Sequence, residues 1–245
     1  MTTMPVNHST RSTTNWAAGI EGCLLVGIGA MLLRKTWDDQ LALYIHPRYT
    51  PLILATGVLL LLIGGVRLWQ TSDQPQGLRG RIGMYGLLLA PLLLGVLIPA
   101  KPAGSALVDP ALLQDSGSGY RTQNVLAGDD TSEWTLFEWM WARYTLKPEQ
   151  IAGKPVDVIG FVYRDPNQAA DQFHVVRYTL ACCIADRSSV SLPVQLAGAA
   201  SLPNDQWVHV TGTIQAEAAN GPLELLVTDA RVEPVSQPKE PYLYP

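Results

Sequence analysis

The chain has 245 residues, of which 47% are hydrophobic and 16% charged, and its formal net charge is −4 at pH 7. Affinity for a phosphate backbone depends on clustered lysines and arginines, so a chain without a basic block is not expected to bind nucleic acid. Three cysteines in this length do not make a disulfide framework. The length allows one large domain or two smaller units.

Three apolar runs in the first part of the chain reach the length needed to cross a membrane. A helix rises ~1.5 Å per residue and the hydrocarbon core is ~30 Å thick, so about 20 apolar residues suffice. Basic residues flank each run and tryptophan or tyrosine lies near its ends, as is typical of membrane interfaces. We predict a membrane domain over residues 1–104, with transmembrane helices at 16–33, 50–69 and 82–100.

The first predicted helix carries a small residue at every fourth position: Gly19, Cys23 and Gly27. Such a face lets another helix approach closely. Two interpretations are open, because the face could pack the three helices together or dock on a separate membrane protein. Only Glu21 is ionisable well inside a run, so the spans carry too few polar groups to form a solute path alone. This half is therefore predicted to sit in membrane lipid as an anchor.

The orientation of the predicted spans is nearly balanced by charge. The amino-terminal side and the second loop carry as many basic residues as the opposite side: Arg11, Arg67, Arg79 and Arg81 against Arg34, Lys35, Arg48 and Lys101. The free α-amino group then favours a cytoplasmic amino terminus under the positive-inside rule. Three spans would place the carboxy-terminal domain outside the cytoplasm.

Residues 105–129 are predicted to be a linker, because glycine, serine, proline and aspartate are frequent there. A soluble domain over 130–245 follows. Asp130 with Glu133 three residues later is typical of a capping box at a helix start. Four aromatic residues come next at helical spacing and form one face, which is expected to be core or a docking surface: Trp134, Phe137, Trp141 and Tyr144.

From Pro155 onward the sequence pattern changes to that of β-strands, and in the first of them Val156, Val158 and Phe161 are candidates for the inner face. Five short strands with glycines where they would bend favour an OB-like five-stranded barrel with one preceding amphipathic helix. A split β-sandwich is the alternative. The fold class is thus a membrane α-helical region followed by a mostly β domain. The predicted strands are 155–164, 172–183, 189–196, 206–215 and 222–235.

Cys182 and Cys183 stand side by side near the end of the second predicted strand. Neighbouring side chains of a strand point to opposite faces, so the two sulfurs are not expected to line one site. Redox pairs normally use C-x-x-C spacing. A metal site needs three or four converging ligands, for which His209 is a further candidate. The favoured interpretation is that both cysteines are small buried residues of the barrel wall, and no metal or cofactor is predicted.

Arg177 lies within an apolar run, where a charge is costly unless it is paired. We predict an ion pair with Asp186 or Asp157 that stabilises the barrel. The alternative is that Arg177 faces a ligand carboxylate or an acid of a partner. The sequence shows no nucleophile motif, phosphate loop or paired catalytic carboxylates, so the chain is predicted not to be an enzyme.

Four segments after the spans resemble the YcgQ-type bacterial membrane proteins: GKPVDVIGFVYR (153–164), FHVVRYTLACCIAD (173–186), DQWVHVTGTI (205–214) and EPYLYP (240–245). Within them, Arg177, Cys183, Ala185 and Asp186 match the R-x5-C-x-A-D pattern of that family. The resemblance implies a helper of a larger multi-span permease in the bacterial plasma membrane. Some relatives carry a histidine-rich loop between the second and third spans, whereas the loop at 67–81 here has no histidine.

These observations lead to three hypotheses. The first is a non-enzymatic accessory subunit that docks on a multi-span permease through Gly19, Cys23 and Gly27 and binds or gates at the translocation mouth. The second is a thiol- or metal-binding sensor or chaperone domain that uses Cys182, Cys183 and His209. The third is a binding module for a small ligand or a lipid head group, with Arg177 as its anchor.

Overall fold

The computed structural model describes residues 16–69, 82–110, 113, 130–166, 168–219 and 221–244. Most of the predicted linker and of the loop at 67–81 lies outside the described residues, as do Arg11, Arg79 and Arg81. The chain divides into two compact units. The first comprises residues 1–41 and 47–100, and the second comprises residues 42–46 and 101–245.

The first unit contains three helices where the three apolar runs were found: α1 (Trp16–Trp37), α2 (Thr50–Trp69) and α3 (Ile82–Leu97). Among the described residues, one helix, Pro47–Trp69, is long and apolar enough to cross a membrane, and a shorter apolar helix covers Tyr85–Leu97. Large apolar side chains on α2 and α3 are exposed, such as Leu62 and Leu87. An exposed apolar surface of this kind is typical of helices that face lipid.

Helices α1 and α2 pack closely through glycines on each helix. A Cβ atom added at Gly29 would lie 2.8 Å from the carbonyl oxygen of Gly57, and one added at Gly64 would lie 2.9 Å from the carbonyl oxygen of Gly22. The two backbones therefore approach so closely that a larger residue would push them apart. This contact uses glycines other than the predicted face of Gly19, Cys23 and Gly27.

The second unit is built on a six-stranded sheet with the order β1-β4-β5-β3-β2-β6, and β1 also pairs with β2. Each of the first five strands thus has at least two strand neighbours, and β2 has three. The pairs β3–β5 and β2–β6 are parallel, and the other pairs are antiparallel. The strands are β1 (Pro155–Tyr163), β2 (Gln172–Thr179), β3 (Ser188–Gln195), β4 (Trp207–Glu217), β5 (Glu224–Pro234) and β6 (Tyr242–Leu243).

All five predicted strands are present, but two details of the prediction are wrong. The sheet has a sixth strand, β6, which is too short to show an alternating pattern in sequence. Strand β2 ends at Thr179, whereas the prediction extended it to Cys183. The chain leaves the sheet there because other groups bind the next backbone N–H groups, as described for the site below.

Two glycines permit the close strand contacts of this sheet. A Cβ atom at Gly160 would lie 2.7 Å from the carbonyl oxygen of Val176 and 2.8 Å from a methyl group of Val175. Gly212 lies at the register shift between Thr211 and Thr213, where a Cβ atom would lie 2.7 Å from the carbonyl oxygen of Thr228. Glycine at a bulge or a close backbone approach is a common device for bending strands.

The buried side chains of the second unit form two apolar clusters. The larger one contains Val156 and Val158, as predicted for the inner face, together with Trp139 from the helix that precedes the sheet. Phe161, which was a further candidate for that face, lies instead in the second cluster with Tyr178 and other residues. Both faces are therefore covered over the second half of β1 and over most of β2, whereas Pro155, Asp157 and Ile159 in the first half of β1 are exposed.

The helix before the sheet, α4, runs from Leu136 to Thr145, and a single turn, α5 (Pro148–Ile151), follows it. Its capping box is Thr135 with Glu138, and not Asp130 with Glu133 as predicted. Asp130 caps a separate 3-10 turn over Thr131–Glu133. Both tetrads have the same sequence pattern, so the pattern alone does not say which one starts the α-helix.

The predicted aromatic face is also partly wrong, because Trp134 precedes α4 and packs with Trp139, whose ring centroid is 4.9 Å away. Trp139 was not in the predicted face, yet it is fully buried. Phe137 is buried as well, and Trp141 packs against the same cluster, whereas Tyr144 is exposed. Most of this face is therefore core of the second unit.

Candidate functional site

The carboxylate of Asp186 organises the turn that follows β2. One of its oxygens accepts a hydrogen bond from the backbone N–H of Ala181 at 3.2 Å, and the other accepts one from Cys182 at 2.7 Å. The backbone N–H of Cys183 also donates to this carboxylate, at 3.3 Å. Three consecutive N–H groups that converge on one anion form a nest. They are thereby withdrawn from the sheet, and β2 ends.

This turn brings the two cysteine sulfurs together, 3.6 Å apart. Cys182 is exposed and Cys183 is half-buried. The prediction that the two sulfurs point to opposite faces is wrong, because the residues lie in a turn and not in a strand. The interpretation of both cysteines as buried wall residues is wrong for the same reason. Both are free thiols, since a disulfide needs sulfur atoms ~2.05 Å apart.

The carboxylate of Asp186 affects the protonation of the Cys182 thiol. Hydrogen bonds with Asp186 and with Cys183 raise the pKa of the Cys182 thiol to about 12. Burial acts to raise the pKa of Asp186, but the hydrogen bonds from Cys182, Ala181 and Cys183 outweigh it and hold that pKa below its ordinary value. At neutral pH the turn therefore holds one carboxylate and a protonated Cys182 thiol.

Cys182, Cys183 and Asp186 can each offer one ligand atom, and these atoms lie within 4.8 Å of one another. Two thiolates and a carboxylate suit a borderline-soft divalent cation such as Zn²⁺, which would displace the thiol protons on binding. His209 is not part of this group. Its Nε2 atom lies 2.6 Å from a carboxylate oxygen of Asp157 on the neighbouring strand β1.

A short segment from between α1 and α2 packs on the cysteine turn within the second unit. Ile45 forms an antiparallel bridge with Cys183, and the N–H of His46 donates to the carbonyl oxygen of Cys182 at 2.9 Å. The N–H of Ile184 donates to the carbonyl oxygen of Tyr44 at 2.8 Å. Residues 42–46 thus cover one side of the turn with backbone hydrogen bonds.

The carboxy-terminal strand β6 holds the same segment from another side. The hydroxyl of Tyr242 donates to the carbonyl oxygen of Leu43 at 3.1 Å and accepts from the N–H of Ala103 at 2.9 Å. The ring of Tyr244 lies 4.6 Å from the ring of His46. The EPYLYP segment therefore joins the cysteine turn and residues 42–46 into one cluster.

Arg177 does not form the predicted ion pair with Asp186 or Asp157. Its guanidinium donates to the carbonyl oxygen of Pro241 at 3.2 Å and to that of Glu240. It also lies 6.0 Å from the centroid of the Trp207 ring. Burial holds the pKa of Arg177 below its ordinary value, although the group stays charged at neutral pH. These contacts use Arg177 to hold the carboxy-terminal segment rather than to anchor a ligand.

The residues of the predicted face of α1 lie in two different environments within the first unit. Gly27 faces α3, because a Cβ atom there would lie 3.1 Å from a methyl group of Leu92. A Cβ atom at Gly19 would meet nothing within 4 Å, and Cys23 is exposed. Gly19 and Cys23 are thus available to another helix, whereas Gly27 serves packing inside the chain.

Sequence reasoning missed residues 42–46 and Tyr242 as parts of this site. Leu43 and Ile45 alternate with Tyr44 and His46 in the loop between two apolar runs, and this alternation is only a weak sequence signal for a strand. Tyr242 lies in a segment that the resemblance did single out. Neither signal says what the segment contacts, because the partner in each case lies far away along the chain.

Residues 132–245 match the profile of the DUF1980 C-terminal domain. The chain is 25% identical over 100 residues to the "UPF0703 protein YcgQ" of Bacillus subtilis, covering 40% of this chain and 35% of the relative. It is 29% identical over 101 residues to a Streptococcus mutans protein named "Putative two-component membrane permease complex subunit", covering 40% of this chain and 36% of the relative.

The matched segment thus spans about a third of the length of these relatives. No solved structure matches this chain. The Arg177-x5-Cys183-x-Ala185-Asp186 pattern and the EPYLYP segment both fall inside residues 132–245, and the structure joins them into one cluster. The resemblance predicted from the sequence is confirmed, and the chain is related to the YcgQ-type proteins through a DUF1980 C-terminal domain.

Proposed function

We propose that this chain is a non-enzymatic accessory subunit of a bacterial membrane permease, in which three helices anchor a soluble domain beside a multi-span partner. The observation that carries the proposal is the exposed face of α1 at Gly19 and Cys23, beside helices α2 and α3 with exposed leucines. Small residues on an apolar helix suit close contact with another membrane helix. A relative named as a permease complex subunit supports the same role.

The connectivity of the second unit supports three spans. Residues 42–46 follow α1, and residues 101–244 follow α3, yet both belong to one compact unit. If α2 crosses the membrane, as its length and composition allow, α3 must cross it as well to bring the chain back to the same side. With a cytoplasmic amino terminus, the soluble domain lies outside the cytoplasm. A cysteine introduced at position 75 should then be labelled from the opposite side to one introduced at position 120.

The strand pairing supports an OB-like barrel for the soluble domain. That fold is a five-stranded Greek-key barrel, so its strands pair in a cycle that closes or nearly closes. The pairs β1–β2, β2–β3, β3–β5, β5–β4 and β4–β1 are all present here, with β3 parallel to β5. We propose that this barrel binds or gates at the mouth of the partner's translocation path, and we assign no reaction to it.

Affinity purification of the tagged full chain from native membranes in a mild detergent tests the proposal. We expect a multi-span membrane protein to elute with it in a fixed ratio. A matched pair of variants locates the contact: Gly19→Leu should reduce the recovered partner, whereas Gly65→Leu, on an exposed position of α2, should not. Recovery of this chain alone, or solute transport by this chain alone in vesicles, would contradict the proposal.

A second candidate function is a thiol- or metal-binding sensor or chaperone, carried by the 3.6 Å distance between the Cys182 and Cys183 sulfurs beside Asp186. Metal analysis of the full chain after incubation with Zn²⁺ tests it. The expected result is one equivalent that is lost in the Cys182→Ala/Cys183→Ala double variant. Equal metal content in both proteins would dismiss it.

A further inference from the structure

A cavity of about 500 Å³ lies inside the second unit, away from the cysteine turn. Helix α4 contributes Trp139 and Met140 to its wall, and strands β2 and β3 contribute His174 and Leu192. The start of β5 closes another side with Leu225. Apolar side chains share this wall with several polar ones, and clefts of this size that combine the two are typical of sites for small organic molecules.

Three residues of the wall each hold a side-chain polar atom that is buried without a hydrogen-bond partner among the described residues: Trp139 at Nε1, Gln168 at Oε1 and His174 at Nδ1. Trp139 as a whole is 0% exposed. Buried polar groups are nearly always hydrogen-bonded, and each exception calls for an explanation. The indole N–H can only donate, whereas the amide oxygen can only accept, so a molecule that satisfies both must offer an acceptor and a donor.

Charged groups of both signs also line the cavity. Arg143 of α4 donates from Nε to the carbonyl oxygen of Leu223 at 2.7 Å, which fixes the guanidinium at the wall. Asp165 and Glu224 contribute carboxylates. Burial lowers the pKa of His174 to about 4, so its imidazole is neutral at pH 7 and one ring nitrogen can accept a hydrogen bond. With one cation and two anions, the wall opposes a purely anionic ligand.

We propose that this cavity binds a small organic zwitterion, a molecule that carries both an ammonium and a carboxylate group, such as a free amino acid. Arg143 and the indole N–H of Trp139 would receive its carboxylate. The amide oxygen of Gln168 and the carboxylate of Asp165 would receive its ammonium group. The apolar wall at Met140 and Leu192 would hold its side chain. The inference does not depend on the permease partner.

Thermal unfolding of the full chain in detergent, with each of the twenty L-amino acids at millimolar concentration, tests the proposal. At least one amino acid should raise the midpoint of unfolding, since a ligand that binds only the folded state stabilises it. The matching amine without the carboxylate, and the matching acid without the ammonium, should each bind at least about tenfold more weakly, because each loses a charge-assisted hydrogen bond.

Variants place the binding in this cavity. Gln168→Met removes a side-chain oxygen that has no hydrogen-bond partner in the part of the chain that the structure describes, so it should leave the unliganded midpoint unchanged or higher while it weakens binding. Arg143→Met should abolish binding, although it could also disturb the contact with Leu223. Gln215→Met, an exposed position outside the cavity, is the control and should bind as the parent does.

The outcomes that overturn the proposal are distinct. If no amino acid shifts the midpoint, or if the amine or the acid alone binds as well as the zwitterion, the ligand class is wrong. If Gln168→Met and Trp139→Phe both bind like the parent, the ligand occupies another site. If Gln168→Met and Trp139→Phe only raise the midpoint of unfolding, and none of the amino acids binds the parent protein, ordered water and not a ligand fills the cavity.

Discussion

The hydroxyl oxygen of Tyr242 lies 3.1 Å from the carbonyl oxygen of Leu43, although 199 positions separate the two residues along the chain. This bond joins the last strand to a segment that lies between helices α1 and α2 in sequence. The second unit is therefore not a simple carboxy-terminal appendage, because it includes residues 42–46. The hydrogen bonds of that segment lead to the cysteine turn, so the YcgQ-type motifs act together as one structural cluster.

Removing the Tyr242 hydroxyl should destabilise the second unit. Tyr242→Phe leaves the N–H of Ala103 without its acceptor and the carbonyl of Leu43 without its donor, and Tyr242 is buried. An unsatisfied buried group costs about 1–3 kcal/mol, which is the expected loss in the free energy of unfolding. Urea denaturation of the full chain followed by tryptophan fluorescence measures it.

Tyr244→Phe is the matched control for that substitution. The hydroxyl of Tyr244 is buried without a partner among the described residues, so its removal should change the free energy of unfolding by less than about 0.5 kcal/mol or raise it slightly. Equal losses in the two variants would contradict the assigned role of Tyr242.

Neutralising Asp186 should make the Cys182 thiol more acidic. The carboxylate of Asp186 is the largest cause of the raised pKa of Cys182, so Asp186→Asn removes that cause and increases the thiolate fraction at a given pH. Alkylation rates measured against pH, in a background with Cys23→Ala and Cys183→Ser, report the change. A pH–rate profile that does not move to lower pH would show that the acid does not control the thiol.

His174 should make the second unit less stable at acid pH. Its folded-state pKa of about 4 lies below the ordinary value of 6.5, so as pH falls the unfolded chain takes up the proton first. The contribution is fully present above pH 6.5 and is lost towards pH 4, by up to about 3 kcal/mol. His174→Gln removes this titration, and its stability should fall less across the same window. Parallel stability curves for the parent and the variant would exclude the assignment.

A methyl group at Gly160 should disrupt the contact of β1 with β2. The Cβ atom of Gly160→Ala would lie 2.7 Å from the carbonyl oxygen of Val176. Because that oxygen belongs to the backbone, a small shift cannot easily relieve the steric clash. Overpacking of this kind costs about 1–3 kcal/mol of unfolding free energy. Gly221→Ala, where a Cβ atom meets nothing within 4 Å, is the control and should be neutral. A neutral Gly160→Ala would mean that the two strands are farther apart than described.

The β-strands were the most predictable part of the fold. Their alternating apolar residues, such as Val156 and Val158, depend only on neighbours in sequence, and the structure places both in the core. The end of β2 was not predictable, because it depends on Asp186 binding the N–H groups of Ala181 to Cys183. The sequence does not distinguish an acidic residue that caps a turn from one that forms an ion pair.

The site was less predictable than the fold, because its contacts join distant parts of the chain. Arg177 and Asp186 were expected to pair on grounds of charge, yet each binds backbone groups, and those groups are invisible in a sequence pattern. The cavity beside Trp139 was missed for a similar reason. An aromatic residue at helical spacing predicts burial, but it does not say whether the indole N–H finds a partner.

Photo-crosslinking in native membranes tests the central claim most directly. A photo-reactive residue in place of Cys23, on the exposed face of α1, should form a defined adduct with a multi-span membrane protein. The same residue in place of Gly65 on α2 should not form that adduct. If neither position yields an adduct with another membrane protein, or if both label lipid and unrelated proteins equally, the chain is not the docked subunit that we propose.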